Sequence, residues 1–140
     1  MNYIVEKLHL TNIEEVKEVK SFLSKFQLDY DKDIDYTVVI RSSNNIIATC
    51  SKSKDILKGF AIDDKLQGEG ITNLLITTIQ DRLFQEGFFH SFIFTKPVYE
   101  TTFKSFGYKV IASVEEVTLL EYGFNDINKT LASMKMLYNV

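Results

Sequence analysis

The chain has 140 residues and a formal net charge of −3, with 45% hydrophobic and 25% charged residues. This size and balance are typical of one globular domain and exclude a disordered or fibrous protein. The acidic balance argues against nucleic acid as a partner, because non-specific binding of DNA requires a basic surface.

The N-terminal residues predict a strand followed by an amphipathic helix. Residues 3–9 alternate between apolar and polar side chains, which is typical of a strand. The sequence Thr11-Asn12-Ile13-Glu14 resembles a capping box, in which Thr begins the helix and the Glu three residues later supports it. The apolar residues that follow share one helix face, which we expect in the core: Ile13, Val16, Leu23 and Phe26.

Three further strands are predicted in the middle of the chain. Residues 36–41 and 46–51 are rich in β-forming side chains and flank the turn sequence Ser42-Ser43-Asn44-Asn45, so they predict a hairpin. Residues 56–62 are mostly apolar, which is typical of a central strand. The acidic residues 29–35 predict a loop that could attract a cationic amine, although such charge runs are usually solvated surfaces.

A polar loop containing glycine follows the third of these strands, and a helix is predicted to begin near Gly70 or Ile71. Gly87 suits the C-terminal cap of this helix, and residues 88–94 read as the next strand. Strand, helix and strand in this order predict a parallel pair with a right-handed crossover. The helix has its apolar residues at helical spacing: Ile71, Leu74, Leu75, Ile79 and Leu83.

Pro97 is expected to end the strand, since it cannot donate a ladder hydrogen bond. A short helix with Tyr99, Phe103 and Phe106 on one face then closes at Gly107, and residues 109–113 and 117–121 read as two final strands. The predicted fold is therefore an α/β domain over residues 1–123, with a mixed, mostly antiparallel sheet and one parallel β-α-β crossover. Residues 124–140 predict an amphipathic helix that packs on this domain or leads to a further domain.

Cys50 is the only cysteine, so no internal disulfide can form, which is consistent with a reducing compartment. The N-terminus has no apolar signal-peptide segment, and no apolar run approaches the roughly 20 residues that span a bilayer. Cys and His do not cluster at metal-binding spacing. We therefore expect a cytoplasmic protein without a membrane partner or a metal ion.

The loop before the second helix has the features of an anion-binding site. A helix N-terminus presents unpaired backbone N–H groups, and glycine lets a phosphate approach the backbone closely. Residues 67–72 fit this description. On spacing alone, a plain loop with a glycine-assisted helix start is an equally good interpretation.

The sequence around this loop resembles motif A of the GCN5-related N-acetyltransferase (GNAT) superfamily, with Ala61-Ile62-Asp63 before Gln67-Gly68-Glu69-Gly70-Ile71. Thr72 stands where that family usually has Gly or Ala. Phe106-Gly107-Tyr108 resembles the end of the family's fourth helix. The resemblance implies binding of acetyl-coenzyme A. The amides of Phe60, Ala61 and Ile62 would orient the pantetheine arm, and those of Gln67, Gly68, Glu69, Gly70, Ile71 and Thr72 would hold the pyrophosphate.

Four segments also resemble the N-terminal domain of the citrate (pro-3S)-lyase ligase family. They are residues 33–38, the loop at residues 67–70, residues 92–97 and Leu119-Leu120-Glu121. In that family a domain of the acetyltransferase fold precedes a nucleotidyltransferase domain. The resemblance covers the first domain alone, so ATP-dependent ligation is not implied for this chain.

The catalytic residues implied by the acetyltransferase resemblance are only partly present. The position of the family's acid Tyr holds Phe103, and the position of an Asn that touches coenzyme A holds Lys96. Tyr99, one helical turn before Phe103, is a candidate acid, although packing is the more ordinary role. Glu100 is a candidate base, and Asp55, Glu86 and His90 are further candidates by location that are more simply surface groups.

Three hypotheses follow. The chain is an acetyl-CoA-dependent N-acetyltransferase for an unidentified amine, a non-catalytic acyl-CoA-binding accessory domain, or an interaction domain that has kept the fold without the ligand. Under each hypothesis, the C-terminal helix or a sheet edge could support a homodimer.

Overall fold

The computed structural model describes residues 3–66 and 70–123, and the chain divides into two compact units, residues 1–88 and 89–140. The helix predicted over residues 124–140 lies outside the described residues. Seven strands and three α-helices are described, and the strand pairings within each unit are antiparallel. The predicted mixed α/β fold class, with a mostly antiparallel arrangement of strands, is confirmed.

The first unit contains β1 (Ile4–Lys7), α1 (Ile13–Ser24), β2 (Tyr36–Ser42), β3 (Asn45–Ser53), β4 (Ile56–Ile62) and α2 (Ile71–Gln85). Its four strands are antiparallel in the order β1-β2-β3-β4. The β2–β3 hairpin turns at Ser43 and Asn44, whose φ angles of 52° and 67° are those of a type I′ turn. Asn tolerates this left-handed conformation better than most residues, which explains the turn sequence.

In the second unit, β7 (Val117–Tyr122) pairs antiparallel with both β5 (Ser91–Thr95) and β6 (Tyr108–Val114). A single 3₁₀ turn over Pro97–Tyr99 leads from β5 into α3 (Glu100–Ser105). Pro97 ends the strand as predicted, and β5 begins three residues later than the sequence pattern indicates.

The start of α1 differs from the prediction by one residue. Asn12, not Thr11, is the N-cap, and its Oδ1 accepts hydrogen bonds from the N–H groups of Glu14 and Glu15. Glu15 in turn accepts from the backbone N–H of His9. Ile13 is 69% exposed, so the predicted core face begins later in the helix.

Helices α1 and α2 supply the apolar faces of the first unit. Val19, Phe22 and Leu23 of α1 join a core cluster with Val39 of β2 and Ala61 of β4. Helix α2 packs on β2 and β3, and by strand alternation Val38 and Ile40 of β2 lie on the opposite face from Val39. Leu74 is 38% exposed, contrary to the prediction, because the buried stripe of α2 runs through Ile71, Leu75, Ile76, Ile79 and Leu83.

Candidate functional site

Strand β4 contains a β-bulge next to the residues predicted to orient pantetheine. Thr49 of β3 pairs with Ala61 and Ser51 pairs with Lys58, so Gly59 and Phe60 together oppose Cys50. Gly59 has a φ of +67°, a conformation that glycine adopts without strain. Bulges of this kind redirect a strand and are frequent beside active sites.

The bulge is held from β3. The hydroxyl of Thr49 donates a hydrogen bond of 2.9 Å to the carbonyl oxygen of Gly59, and Thr49 is fully buried. The side chains of Phe60, Ala61 and Ile62 are also buried. Their packing fixes the strand, so whatever these three residues offer a ligand comes from the backbone.

Beyond β4, the chain turns sharply before the predicted pyrophosphate loop. The N–H of Asp63 donates to the carbonyl of Ile47 at 2.8 Å, and the side chain of Asp63 accepts from the N–H of Lys65 at 3.0 Å. A 3₁₀ turn over Asp64–Leu66 follows. Gln67, Gly68 and Glu69 lie outside the described residues, so their predicted contacts with pyrophosphate stay a prediction.

The first turn of α2 has the geometry expected of an anion site. Gly70 is the N-cap with φ +81°, and the described residues supply no side-chain hydrogen bond and no acidic group to this turn. The N–H groups of Ile71, Thr72 and Asn73 precede the first helical hydrogen bond, which Leu74 donates to Gly70. A side chain added at Gly70 would meet nothing within 4 Å.

In the second unit, the candidate residues lie where β5 passes into α3. Lys96 is half-buried and is the N-cap of the 3₁₀ turn, and Tyr99 is 7% exposed. Phe103 is fully buried and packs edge-on against the ring of Tyr108, with centroids 5.3 Å apart. The roles predicted for Lys96, Tyr99 and Phe103 remain predictions.

Glu100, the candidate base, already has two neighbours in its own unit. Its carboxylate lies 3.3 Å from the ammonium of Lys104, one helical turn later, and accepts a long hydrogen bond of 3.4 Å from Thr118. Its side chain is 30% exposed.

The other candidate bases lie at the far ends of their elements. Asp55 precedes β4, at the opposite end of the strand from Ile62, and Glu86 follows α2, at the opposite end from Gly70. His90 precedes β5, and its Nε2 lies 3.6 Å from Glu121. The structure therefore does not bring Asp55 or Glu86 to the bulge or to the N-terminus of α2.

The acidic loop proposed to attract an amine is paired with lysines of its own unit. The ammonium of Lys58 lies 2.8 Å from Asp31 and 3.0 Å from Asp33, and Asp35 contacts Lys52 at 2.7 Å. The hydrogen bond from Lys58 holds the pKa of Asp33 below its usual value. These partners leave the loop little net negative charge for attracting a substrate.

Thr49 and Gly59 are the site residues that sequence reasoning missed. A lone Gly inside an otherwise apolar strand is a signal for a bulge, and residues 56–62 contain one at Gly59. The hydroxyl of Thr49 carries no such signal, because its partner is a backbone carbonyl across the sheet.

No helix of residues 3–66 and 70–123 is long and apolar enough to cross a membrane. Within the same residues, no group of three or more His, Cys, Asp or Glu side chains could hold a metal ion.

Known structures share this fold. The chain matches Escherichia coli ElaA with a TM-score of 0.70 at 11% identity, covering 87% of this chain and 100% of that one. It matches an acyl-CoA N-acyltransferase from Pseudomonas aeruginosa with a TM-score of 0.69 at 7% identity, covering 87% and 99%. It also matches N-acetylglutamate synthase from Neisseria gonorrhoeae, solved with coenzyme A and N-acetyl-glutamate, with a TM-score of 0.62 at 12% identity, covering 87% and 35%. The predicted acyltransferase fold is confirmed.

Sequence comparison gives relatives of one kind. The chain is 35% identical over 121 residues to [citrate [pro-3S]-lyase] ligase of Haemophilus influenzae, and 26% identical over 119 residues to that of Escherichia coli. Each match covers 85% of this chain, but 36% and 34% of those proteins, so the chain spans about a third of their length. No protein-family model matches. The predicted likeness to this ligase is confirmed.

Proposed function

We propose that this chain, which has the acyltransferase fold of the GNAT superfamily, binds acyl-coenzyme A and transfers its acyl group to an amine. The observation that carries the proposal is the course of the first unit from the β4 bulge to the N-terminus of α2. In one stretch of chain it combines backbone groups for a thioester arm with backbone groups for a diphosphate. The acyl-CoA N-acyltransferase among the structural matches supports this assignment of the fold.

The N-terminus of α2 suits the diphosphate of coenzyme A. Helix N-termini carry partial positive charge and outward N–H groups, both of which favour an anion. Gly70 keeps the approach open, and the first turn contains no acidic side chain that would repel phosphate. Ile71 and Thr72 would then donate their backbone N–H groups to phosphate oxygens.

The proposed reaction is direct transfer. The neutral amine nitrogen attacks the thioester carbonyl carbon, a C–N bond forms and the C–S bond breaks. The amine loses one proton to a base, and the departing thiolate gains one from an acid, which leaves an amide and the free thiol of coenzyme A. Tyr99 is the candidate acid and Glu100 the candidate base, both carried over as predictions.

The binding half of this proposal is tested by titrating acetyl-CoA and desulfo-coenzyme A into the protein by calorimetry. Gly70→Asp places a carboxylate at the N-cap of α2 and should abolish binding. Gly87→Asp is the matched control at the other end of the helix, because Gly87 has a similar φ of +86° and equally open surroundings. Absence of binding by the unmodified protein, or equal loss in both variants, would refute the proposed site.

A non-catalytic acyl-CoA-binding domain is the second candidate, and Phe103 favours it. The residue at the family's acid position has no proton to donate, and its ring is buried against Tyr108. If the chain is such a domain, it should bind acetyl-CoA without releasing the thiol of coenzyme A. Thiol release, followed with a chromogenic disulfide over a panel of amines, and its loss in Tyr99→Phe, would instead favour the transferase.

The names of the sequence relatives indicate one acceptor to test. The sequence relatives carry the name of a ligase for citrate lyase. Citrate lyase preparations therefore belong in the acceptor panel beside small amines and peptides. Acyl transfer to one acceptor class alone would define the substrate.

A further inference from the structure

The Gly59–Phe60 peptide unit lies inside the β4 bulge, where the register between β3 and β4 shifts. Two residues of β4 face the single residue Cys50 there, and a bulge leaves its extra residue out of the ladder pairing. The carbonyl of this peptide unit accepts a hydrogen bond of 2.9 Å from the hydroxyl of Thr49, which constrains its direction.

Fixing this carbonyl also fixes an N–H group. The peptide bond is planar, and no cis peptide occurs in the described residues, so the carbonyl of Gly59 and the N–H of Phe60 point in opposite directions. Because the carbonyl points toward the Thr49 hydroxyl, the N–H of Phe60 is directed away from Thr49. One buried hydroxyl on β3 thereby sets the direction of an amide on β4.

We propose that Thr49 is a positioning residue, which holds the Phe60 amide in the direction that binds and polarises the thioester carbonyl of acyl-CoA. The inference rests on the proposed function, in which the amides of Phe60, Ala61 and Ile62 receive the pantetheine arm. A preorganised N–H donor stabilises the oxyanion that develops during acyl transfer, because the donor is already oriented when charge appears. Thr49 acts through Phe60 and does not touch the substrate.

Thr49 differs from the neighbouring buried hydroxyls in its partner. Thr37 and Ser51 hydrogen-bond to each other at 2.8 Å, and Thr37 also bonds to Tyr30 at 2.7 Å. These side-chain hydroxyls hydrogen-bond to one another, whereas the hydroxyl of Thr49 donates its hydrogen bond to a backbone carbonyl in the bulge. Thr37 is therefore a matched control for losing a buried hydroxyl from the same sheet.

The test compares Thr49→Val, which keeps the shape and removes the donor, with Thr49→Ser, which keeps the donor, and with Thr37→Val. Two quantities are measured for each folded variant: the affinity for acetyl-CoA by calorimetry, and the infrared stretching frequency of bound acetyl-CoA labelled with ¹³C at the thioester carbonyl. A donated hydrogen bond lowers this frequency, and a purely structural role for Thr49 would leave it unchanged.

We expect Thr49→Val to weaken acetyl-CoA binding about tenfold, the usual effect of one lost hydrogen bond, and to raise the carbonyl frequency of the bound ligand. Thr49→Ser and Thr37→Val should keep the parent frequency. Parent affinity and frequency in Thr49→Val would overturn the inference and leave the proposed function standing. Failure of the parent protein to bind acetyl-CoA would overturn both.

A measurement on the unmodified protein covers the case in which Thr49→Val does not fold. In ¹⁵N-labelled protein, the amide proton of Phe60 should move downfield with acetyl-CoA and less with coenzyme A, which lacks the carbonyl. Equal response to the two ligands at Phe60 would overturn the inference.

Discussion

The ammonium of Lys52 lies 2.8 Å from Oε1 of Glu86, joining β3 to the C-terminal end of α2. The lysine side chain is fully buried, and its nitrogen also lies 2.7 Å from Asp35 and 5.4 Å from the ring centre of Phe88. A buried ammonium is tolerated only when it is paired, because transfer of an isolated charge from water is very unfavourable. Both carboxylates are partly exposed, so one buried ammonium is paired with two carboxylates that remain in contact with solvent.

Removing both carboxylates should destabilise the protein by more than the sum of the single changes. In Asp35→Asn or Glu86→Gln the ammonium keeps one carboxylate, so we expect about 1–2 kcal/mol for each. The double variant leaves Lys52 buried and unpaired, and the loss should reach about 3–5 kcal/mol. Urea unfolding of the four proteins completes a double-mutant cycle. Simple additivity would show that Lys52 is not held by these two groups jointly.

Glu86 makes the stability of the first unit sensitive to acid. Burial raises the pKa of Glu86, but hydrogen bonds from Lys52 and Arg82 outweigh it, so its pKa lies below the usual value. A lowered pKa contributes stability that is fully present above the unfolded-state value near 4.5 and is lost as pH falls through the folded value. Melting temperatures between about pH 6 and pH 2 should fall less steeply for Glu86→Gln than for the parent. Parallel curves would contradict this assignment.

The two Asp substitutions at the ends of α2 should separate binding from stability. Both positions have positive φ, so each substitution carries a similar backbone strain of about 1–2 kcal/mol. At Gly70 the new carboxylate faces the positive end of the helix dipole, and at Gly87 it faces the negative end. Thermal unfolding should therefore show Gly70→Asp as the more stable variant, although it is the one expected to lose acetyl-CoA. The reverse order would argue against the α2 N-terminus as an anion site.

Gly123 should tolerate a side chain much less well than Gly87. Their φ angles, 84° and 86°, impose the same strain, but a Cβ at Gly123 would lie 2.5 Å from the carbonyl oxygen of Phe89, whereas Gly87 has open space. Backbone must move to relieve such a contact, so we expect Gly123→Ala to cost at least about 2 kcal/mol more in unfolding free energy. Equal denaturation midpoints for the two Ala variants would contradict the contact.

Cys50 should be unreactive in the folded protein. It is fully buried beside the bulge, and burial raises the pKa of its thiol well above the usual range, so very little thiolate forms at neutral pH. A thiol reagent such as an aromatic disulfide should react only after denaturant unfolds the chain, with the transition followed by tyrosine fluorescence as the reference. Rapid stoichiometric reaction under native conditions would show that β3 opens locally.

The sequence predicted the elements well where periodicity and turn residues agree. Strand β4 begins and ends where its apolar run does, and the β2–β3 turn follows from Asn44 and its neighbours. The start of α1 was predicted one residue early, where two residues competed for the N-cap. Thr11 and Asn12 are both good N-cap residues, and in the structure Asn12 accepts the hydrogen bonds from Glu14 and Glu15.

The candidate site was predictable only in its backbone part. Gly70 and the strand before it stand out because glycine and phosphate-binding amides leave a local sequence pattern. The hydroxyl of Thr49 and the pairing of Lys58 with the acidic loop depend on contacts between residues far apart in sequence. The contact of Thr49 with Gly59 is set by the register of β3 against β4, which a single sequence does not specify.

Helix α2 is anchored at the end away from the proposed phosphate position. Lys52 and Arg82 hold Glu86 there, and Leu75 and Ile79 fix the middle of the helix in the core. The direction of the N–H groups at its first turn is therefore set when the chain folds, before any ligand arrives. Association with a diphosphate then loses little conformational entropy in this helix. The electrostatic attraction therefore contributes to the binding free energy with almost no offset from ordering the helix.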